Sequence, residues 1–136
     1  MATVHLWSDE EASADPVVAA VFADIRATRK SDFINHFWRG LANEPSTLKR
    51  TWEGLKAVMV APGALDPLTC ELIYMAVSVA NGCSYCIHSH TAAARAKGMS
   101  EAQYGHFLAI VGTANQTNAL VTAMAIPVDE AFRIGG

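Results

Sequence analysis

A chain of 136 residues is long enough for one domain with a real core and short for two. Hydrophobic residues make up 51% and charged residues 17%, an apolar balance that points to surface buried against other subunits. The net charge of -3, with Lys and Arg scattered singly, leaves no basic field to neutralise phosphates and excludes nucleic acid as a partner.

The opening "MATVHLWSDEEASAD" has no basic patch followed by an apolar stretch. It predicts no secretory signal, a flexible N-terminus over 1–14 and a cytoplasmic location. "ADPVVAAVFADIRATRK" then offers Asp15 as an N-cap and Pro16 as the first helical residue, with Val17, Val18, Val21, Phe22 and Ile25 at helical spacing. A second helix is predicted from a Ser31 or Asp32 cap, with Phe33, Phe37 and Leu41 along its stripe, and a third through Leu48, Trp52, Leu55 and Met59 to Pro62 and Gly63. Phe33, Phe37, Trp38 and Trp52 read as core, part of which can line an apolar pocket.

Asp66 and Pro67 open a fourth helix that is apolar nearly all round and is therefore expected to be central and buried, ending at Asn81 and Gly82. A fifth runs from Cys83 to Gly98, a sixth starts from a Ser100–Gln103 capping box, and "QTNALVTAMAI" supplies a seventh before Pro127. The β-branched pairs around Val77 and Ile110 lie in Ala-rich stretches too long for strands. The expectation is an all-α domain over 15–132, of six to seven helices with CxxC at the N-terminus of the fifth, and a tail at 133–136. No apolar run reaches the roughly 18 to 20 residues that cross a bilayer.

The segment "NGCSYCIHSH" concentrates the chemistry. With Cys83 in the first turn of its helix, orphan N–H groups and the positive end of the helix dipole favour thiolate over thiol. Cys83, Cys86 and His90 fall at i, i+3 and i+7 on one stripe, so His90 can take the Cys86 proton directly or through a water. Glu71 lies on the preceding helix, and a buried carboxylate in so apolar a setting needs a partner. A turn at Asn81–Gly82 folding one helix back on the other brings it to His90, giving a Glu-His-Cys relay. A peroxide attacked by one thiolate yields a sulfenic acid that the second thiol closes to a disulfide, and an external dithiol resets the pair. Attack is assigned to Cys86, nearer the base, and resolution to Cys83.

Other readings share these residues. Cys83, Cys86 and His90 with Glu71 or His88 can serve as zinc ligands in a non-catalytic or assembly protein. Haem attachment is excluded because Ile87 follows Cys86. Cys70 reads as a small core hydrophobe. His88 points off the stripe and reads as a surface or interface residue, while His36 and His106 read as packed or partly exposed.

The order Glu71, Cys83, Cys86, His90 in "ELIYMAVSVANGCSYCIHSH" resembles the signature of the alkyl hydroperoxidase D-like, carboxymuconolactone decarboxylase superfamily, closest to its peroxidase-related members. The likeness extends over about 15–132. It implies an all-α subunit in a homotrimer or homohexamer, and a thiol-dependent reduction of hydroperoxides reset by a lipoyl-type or thioredoxin-type dithiol. It implies no cofactor beyond a redox-active Cys83–Cys86 disulfide, with Glu71, Cys83, Cys86 and His90 as the catalytic set. Decarboxylase-type lactone chemistry, which has no need of the dithiol, is the superfamily's other activity. One position departs from the pattern: Tyr85 stands where the best-studied member carries a histidine, removing a cationic or hydrogen-bonding neighbour of Cys86 that supports peroxidase efficiency.

Overall fold

Capping residues decide where this chain turns helical. The computed structural model describes residues 1–133, and among them all regular structure is helical, as the sequence predicts. Seven α-helices follow in order: α1 (Asp9–Ala14), α2 (Pro16–Arg29), α3 (His36–Leu41), α4 (Pro45–Leu55), α5 (Pro67–Ala80), α6 (Ser84–Ala96) and α7 (Glu101–Ala123). A π-helical turn at Lys56–Val60 extends α4, and a 3-10 turn spans Glu130–Phe132. The predicted tail at 133–136 lies outside the described residues except for Arg133. The chain divides into two compact units, Met1–Ala64 and a second beginning at Leu65.

In the first unit Asp15 caps α2, its Oδ1 accepting from the Val17 and Val18 amides at 2.9 and 3.0 Å. That start sets the helix phase, and Val18, Val21, Phe22 and Ile25 turn inward against Leu48 and Trp52 of α4. Trp38 meets Trp52 edge to face, with ring centroids 5.5 Å apart. The stripe predicted for the second helix is displaced. The buried residues are Ile34, Trp38 and Ala42, whereas Phe33 and Phe37 are exposed, because α3 starts from Asn35 rather than from Ser31 or Asp32. Trp52 also lines a shallow groove of about 390 Å³ between α2 and α4, with Pro16, Ala20, Val21 and Lys49.

Residues 9–14, expected to be loose, form α1. Ser8 and Glu11 make a reciprocal capping box, and Asp9 Oδ1 accepts from Arg26 at 2.9 Å and Arg39 at 2.8 Å. The hydrogen bond from Arg39, aided by that from Arg26, holds the Asp9 carboxyl below its ordinary value.

The second unit is built on two helix ends of one design. Gly82 takes φ 67° and Gly98 φ 94°, values that only glycine adopts cheaply. The Gly82 and Cys83 amides return to Val79 O at 3.1 Å and Ser78 O at 2.9 Å, closing α5 with a Schellman motif, and those of Gly98 and Met99 return to Arg95 O and Ala94 O, both at 3.0 Å, closing α6 likewise. Met75, Ala94, Met99 and Phe107 form the buried core.

Two expectations fail here. The fourth predicted helix, α5, is not buried all round, since Ile73 is 48% and Val77 54% exposed and only Glu71, Met75 and Ser78 are buried. The predicted sixth and seventh helices are one, α7, capped by the anticipated Ser100–Gln103 box. Gly112 inside it meets no neighbour, and nothing interrupts the ladder. With α1 added at the start, the CxxC motif opens the sixth helix rather than the fifth.

Candidate active site

The turn that ends α5 begins α6. Cys83, held by its amide to Ser78, is at once the last residue of the Schellman motif and the N-cap of α6. Its Sγ accepts from the Cys86 amide at 3.3 Å, the bond a capping oxygen would ordinarily receive. The hydrogen bond from the Cys86 thiol, followed by that from the Cys86 amide, draws the Cys83 thiol below its ordinary pKa. Burial, then the hydrogen bond and charge of Cys83, push Cys86 up to about 11. The two sulfurs are therefore unequal, Cys83 being the more easily ionised of the pair. The sequence, by contrast, gives peroxide attack to Cys86 because it lies nearer the base.

One turn beyond Cys86, His90 meets α5. Its Nδ1 lies 2.7 Å from Glu71 Oε2, and since an ionised carboxylate only accepts, Nδ1 is the donor, which leaves Nε2 as the one ring atom that can act as an acceptor. The turn at Asn81–Gly82 thus brings α6 back along α5 with these two side chains in contact. Tyr74, one turn after Glu71, stacks on the imidazole with centroids 3.7 Å apart and planes 21° apart. Burial, then the nearby Cys86, Cys83 and Glu71 charges, raise the Tyr74 pKa. Among the described residues no hydrogen bond joins His90 to either sulfur, so any proton passed between them needs a mediator or a side-chain movement.

Glu71 is 4% exposed. Its second oxygen, Oε1, accepts from Lys97 Nζ at 2.6 Å. Burial pushes the carboxyl up, but the hydrogen bonds from His90 and Lys97 outweigh it and leave its pKa below the ordinary Glu value. Lys97 and Tyr74 were not anticipated from sequence. The signal for Lys97 was its place at the C-cap, just before Gly98, seven residues or two turns beyond His90 on the same helix.

The remaining candidates lie elsewhere. Tyr85, between the two cysteines of the motif, is 45% exposed. His88 donates from Nδ1 to Ser84 O at 2.8 Å and lines an open depression of about 480 Å³ with Ile87, Thr91, Ala92, Arg95 and Tyr104. His36 and His106 are exposed. Cys70 is half-buried, its thiol 3.7 Å from Leu65 O. Among the described residues no three His, Cys, Asp or Glu side chains gather as a metal ion requires, and no helix is long and apolar enough to cross a membrane.

A helix-capping dithiol backed by a carboxylate–imidazole pair on an all-α scaffold defines a class of small thiol proteins, and comparison with known proteins gives the family. The model described as "Carboxymuconolactone decarboxylase family" matches residues 46–129. The chain belongs to this family, in its alkyl hydroperoxidase D-like branch. A crystal structure of the alkylhydroperoxidase AhpD core from Rhodospirillum rubrum is 70% identical, covers 99% of each chain and superposes with a TM-score of 0.97. The alkyl hydroperoxide reductases AhpD of Solibacter usitatus and Azorhizobium caulinodans are 34% and 32% identical over 54% and 57% of this chain. The matched stretch spans 42% and 39% of those two proteins' length.

Proposed function

We propose that this protein is a thiol-dependent peroxidase and disulfide oxidoreductase that reduces alkyl hydroperoxides with Cys83 and Cys86. The carrying observation is the 2.7 Å contact of His90 Nδ1 with Glu71 Oε2 behind a dithiol in which Cys83 caps the helix and accepts from the Cys86 amide. The Cys83 thiolate attacks the terminal peroxide oxygen, the O–O bond breaks, and the alkoxide leaves as an alcohol with a proton from solvent. Cys83 becomes a sulfenic acid. The Cys86 thiol, too weak an acid to ionise unaided, gives its proton to His90 Nε2 through a bridging water. Its sulfur then displaces hydroxide from Cys83, which leaves as water with that proton, and the disulfide closes. An external dithiol of lipoyl or thioredoxin type returns both thiols and is itself oxidised.

The names of the relatives support this class of substrate, and the CxxC pair favours it over lactone decarboxylation. The exposed apolar faces of α5 and α7 support assembly as a homotrimer or homohexamer, and a cytoplasmic location suits a dithiol that must be kept reducible. The test is consumption of cumene hydroperoxide with dihydrolipoamide. Wild-type protein turns over and accumulates a Cys83–Cys86 disulfide by mass spectrometry. Cys86→Ser still forms a sulfenic acid but does not turn over, and Cys83→Ser does neither. Equal reaction of Cys83→Ser with peroxide overturns the assignment.

A further inference from the structure

A carboxylate as buried as Glu71 is stable only with its charge answered. A lone Glu71–His90 pair satisfies that need by keeping the imidazole protonated, and an imidazolium cannot accept a proton. Lys97 changes the balance. Its ammonium, 2.6 Å from Oε1, supplies the counter-charge from the opposite oxygen, and Oε2 is left for the His90 Nδ1 proton. The lysine side chain leaves the helix from a fixed point. It is the C-cap of α6, its backbone fixed by the Gly98 and Met99 amides returning to Arg95 and Ala94, and Met99, two residues on, is buried in the core at 7% exposure.

We propose that Lys97 is a positioning residue of the thiol site, which holds the Glu71 carboxylate charged and oriented so that His90 keeps Nδ1 as donor and Nε2 as acceptor. The groups facing this trio are few. From α5 come Glu71 itself and Tyr74, stacked on the imidazole; from α6, Cys83, Cys86 and Lys97. On α7, Tyr104 packs against the adjoining core, and Glu101 is drawn to Arg95 at 3.6 Å. Lys97 is thus the cation that answers Glu71 when His90 is neutral.

For its effect on rate this inference rests on the peroxidase reading, and the experiment separates the two. Lys97→Met, Lys97→Gln and Lys97→Arg are compared with wild type by circular dichroism, by hydroperoxide consumption across pH, and by NMR of the imidazole nitrogens. Lys97→Met and Lys97→Gln keep the helical signal, lose about tenfold in rate near neutral pH, and move the acid limb of the profile to higher pH. In both, a larger fraction of His90 carries protons on both nitrogens. Lys97→Arg, which keeps the charge, restores the wild-type profile. Should Lys97→Met fail to fold, Lys97→Gln, which keeps a donor to Glu71, decides. A folded uncharged variant with wild-type His90 signals overturns the proposal. If the wild type consumes no hydroperoxide, the peroxidase reading falls while the NMR comparison still judges Lys97.

Discussion

The two units of this chain spend the same kind of sequence differently. Among the described residues the first buries ten apolar side chains in one cluster, with Trp38, Trp52 and Phe22 at its centre, and the second buries four. The second unit leaves Ile73, Val77, Leu108, Ile110, Leu120 and Val121 about half exposed or more, while enclosing a carboxylate. One unit is organised around packing, the other around a buried charge and an uncovered apolar surface. The difference teaches where to look for chemistry: a costly polar group is retained where few apolar side chains are present to replace it.

The sharpest break of that contrast is a core truncation. Trp52→Ala is expected to destabilise by about 3–5 kcal/mol, because it empties the centre of the first cluster and takes the indole donor from Asp24 Oδ2, 2.7 Å away. Urea unfolding checks it, and a loss under about 1 kcal/mol would mean that this cluster is not what the fold depends on. Next comes the uncovered surface. Ile110→Glu with Leu120→Glu should lower the sedimenting mass while leaving the helical signal intact, since both side chains are solvent-facing within one subunit at 56% and 52% exposure. An unchanged mass would show that copies of the chain do not meet through α7.

Legibility in the sequence followed the same division. Asp15–Pro16, Asp66–Pro67, Ser100–Gln103 and the two glycine stops are local devices, and each sits where the sequence placed it. The Glu71–His90 pairing was readable because a buried carboxylate needs a partner and a short turn folds the helix that carries His90 back towards it. Ser8–Glu11 had the form of a capping box too, but the helix it opens is held by Arg26 and Arg39 from distant positions, and no apolar run announced it. Lys97 and Tyr74 were hidden for a related reason: periodicity gives the face of a helix, not which long side chain reaches across. The inequality of the thiols came from the burial of Cys86 and from the hydrogen bonds that Cys86 gives to Cys83, which spacing does not encode. A prediction of intermediate size follows from Glu71. Its folded pKa lies below the ordinary 4.5, so the stability it contributes is full above that value and is lost as pH falls through the folded pKa. Glu71→Gln should flatten that part of a plot of urea midpoint against pH between neutrality and pH of about 3; an unaltered slope would remove the carboxylate from the account.

The smallest effect compares like with like, one capping serine in each unit. Ser8 Oγ accepts from the Glu11 amide at 3.1 Å and Ser100 Oγ from the Gln103 amide at 3.0 Å, so alanine removes an equivalent bond from both, worth about 0.5–2 kcal/mol. The helices behind them differ. Fraying the first turn of α1 disturbs most of a helix of 6 residues, together with Asp9 and its two arginine partners. In α7, with 23 residues, the same fraying reaches the long, exposed Glu101–Arg95 pair, Tyr104 and the first contacts of Phe107 with the small core. Ser8→Ala should therefore lie near the upper end of that range and Ser100→Ala near the lower, when both are measured by urea unfolding. The reverse order would mean that the N-terminal helix is incidental to the first unit, and that the contrast between a self-sufficient core and a partly uncovered one begins only at α2.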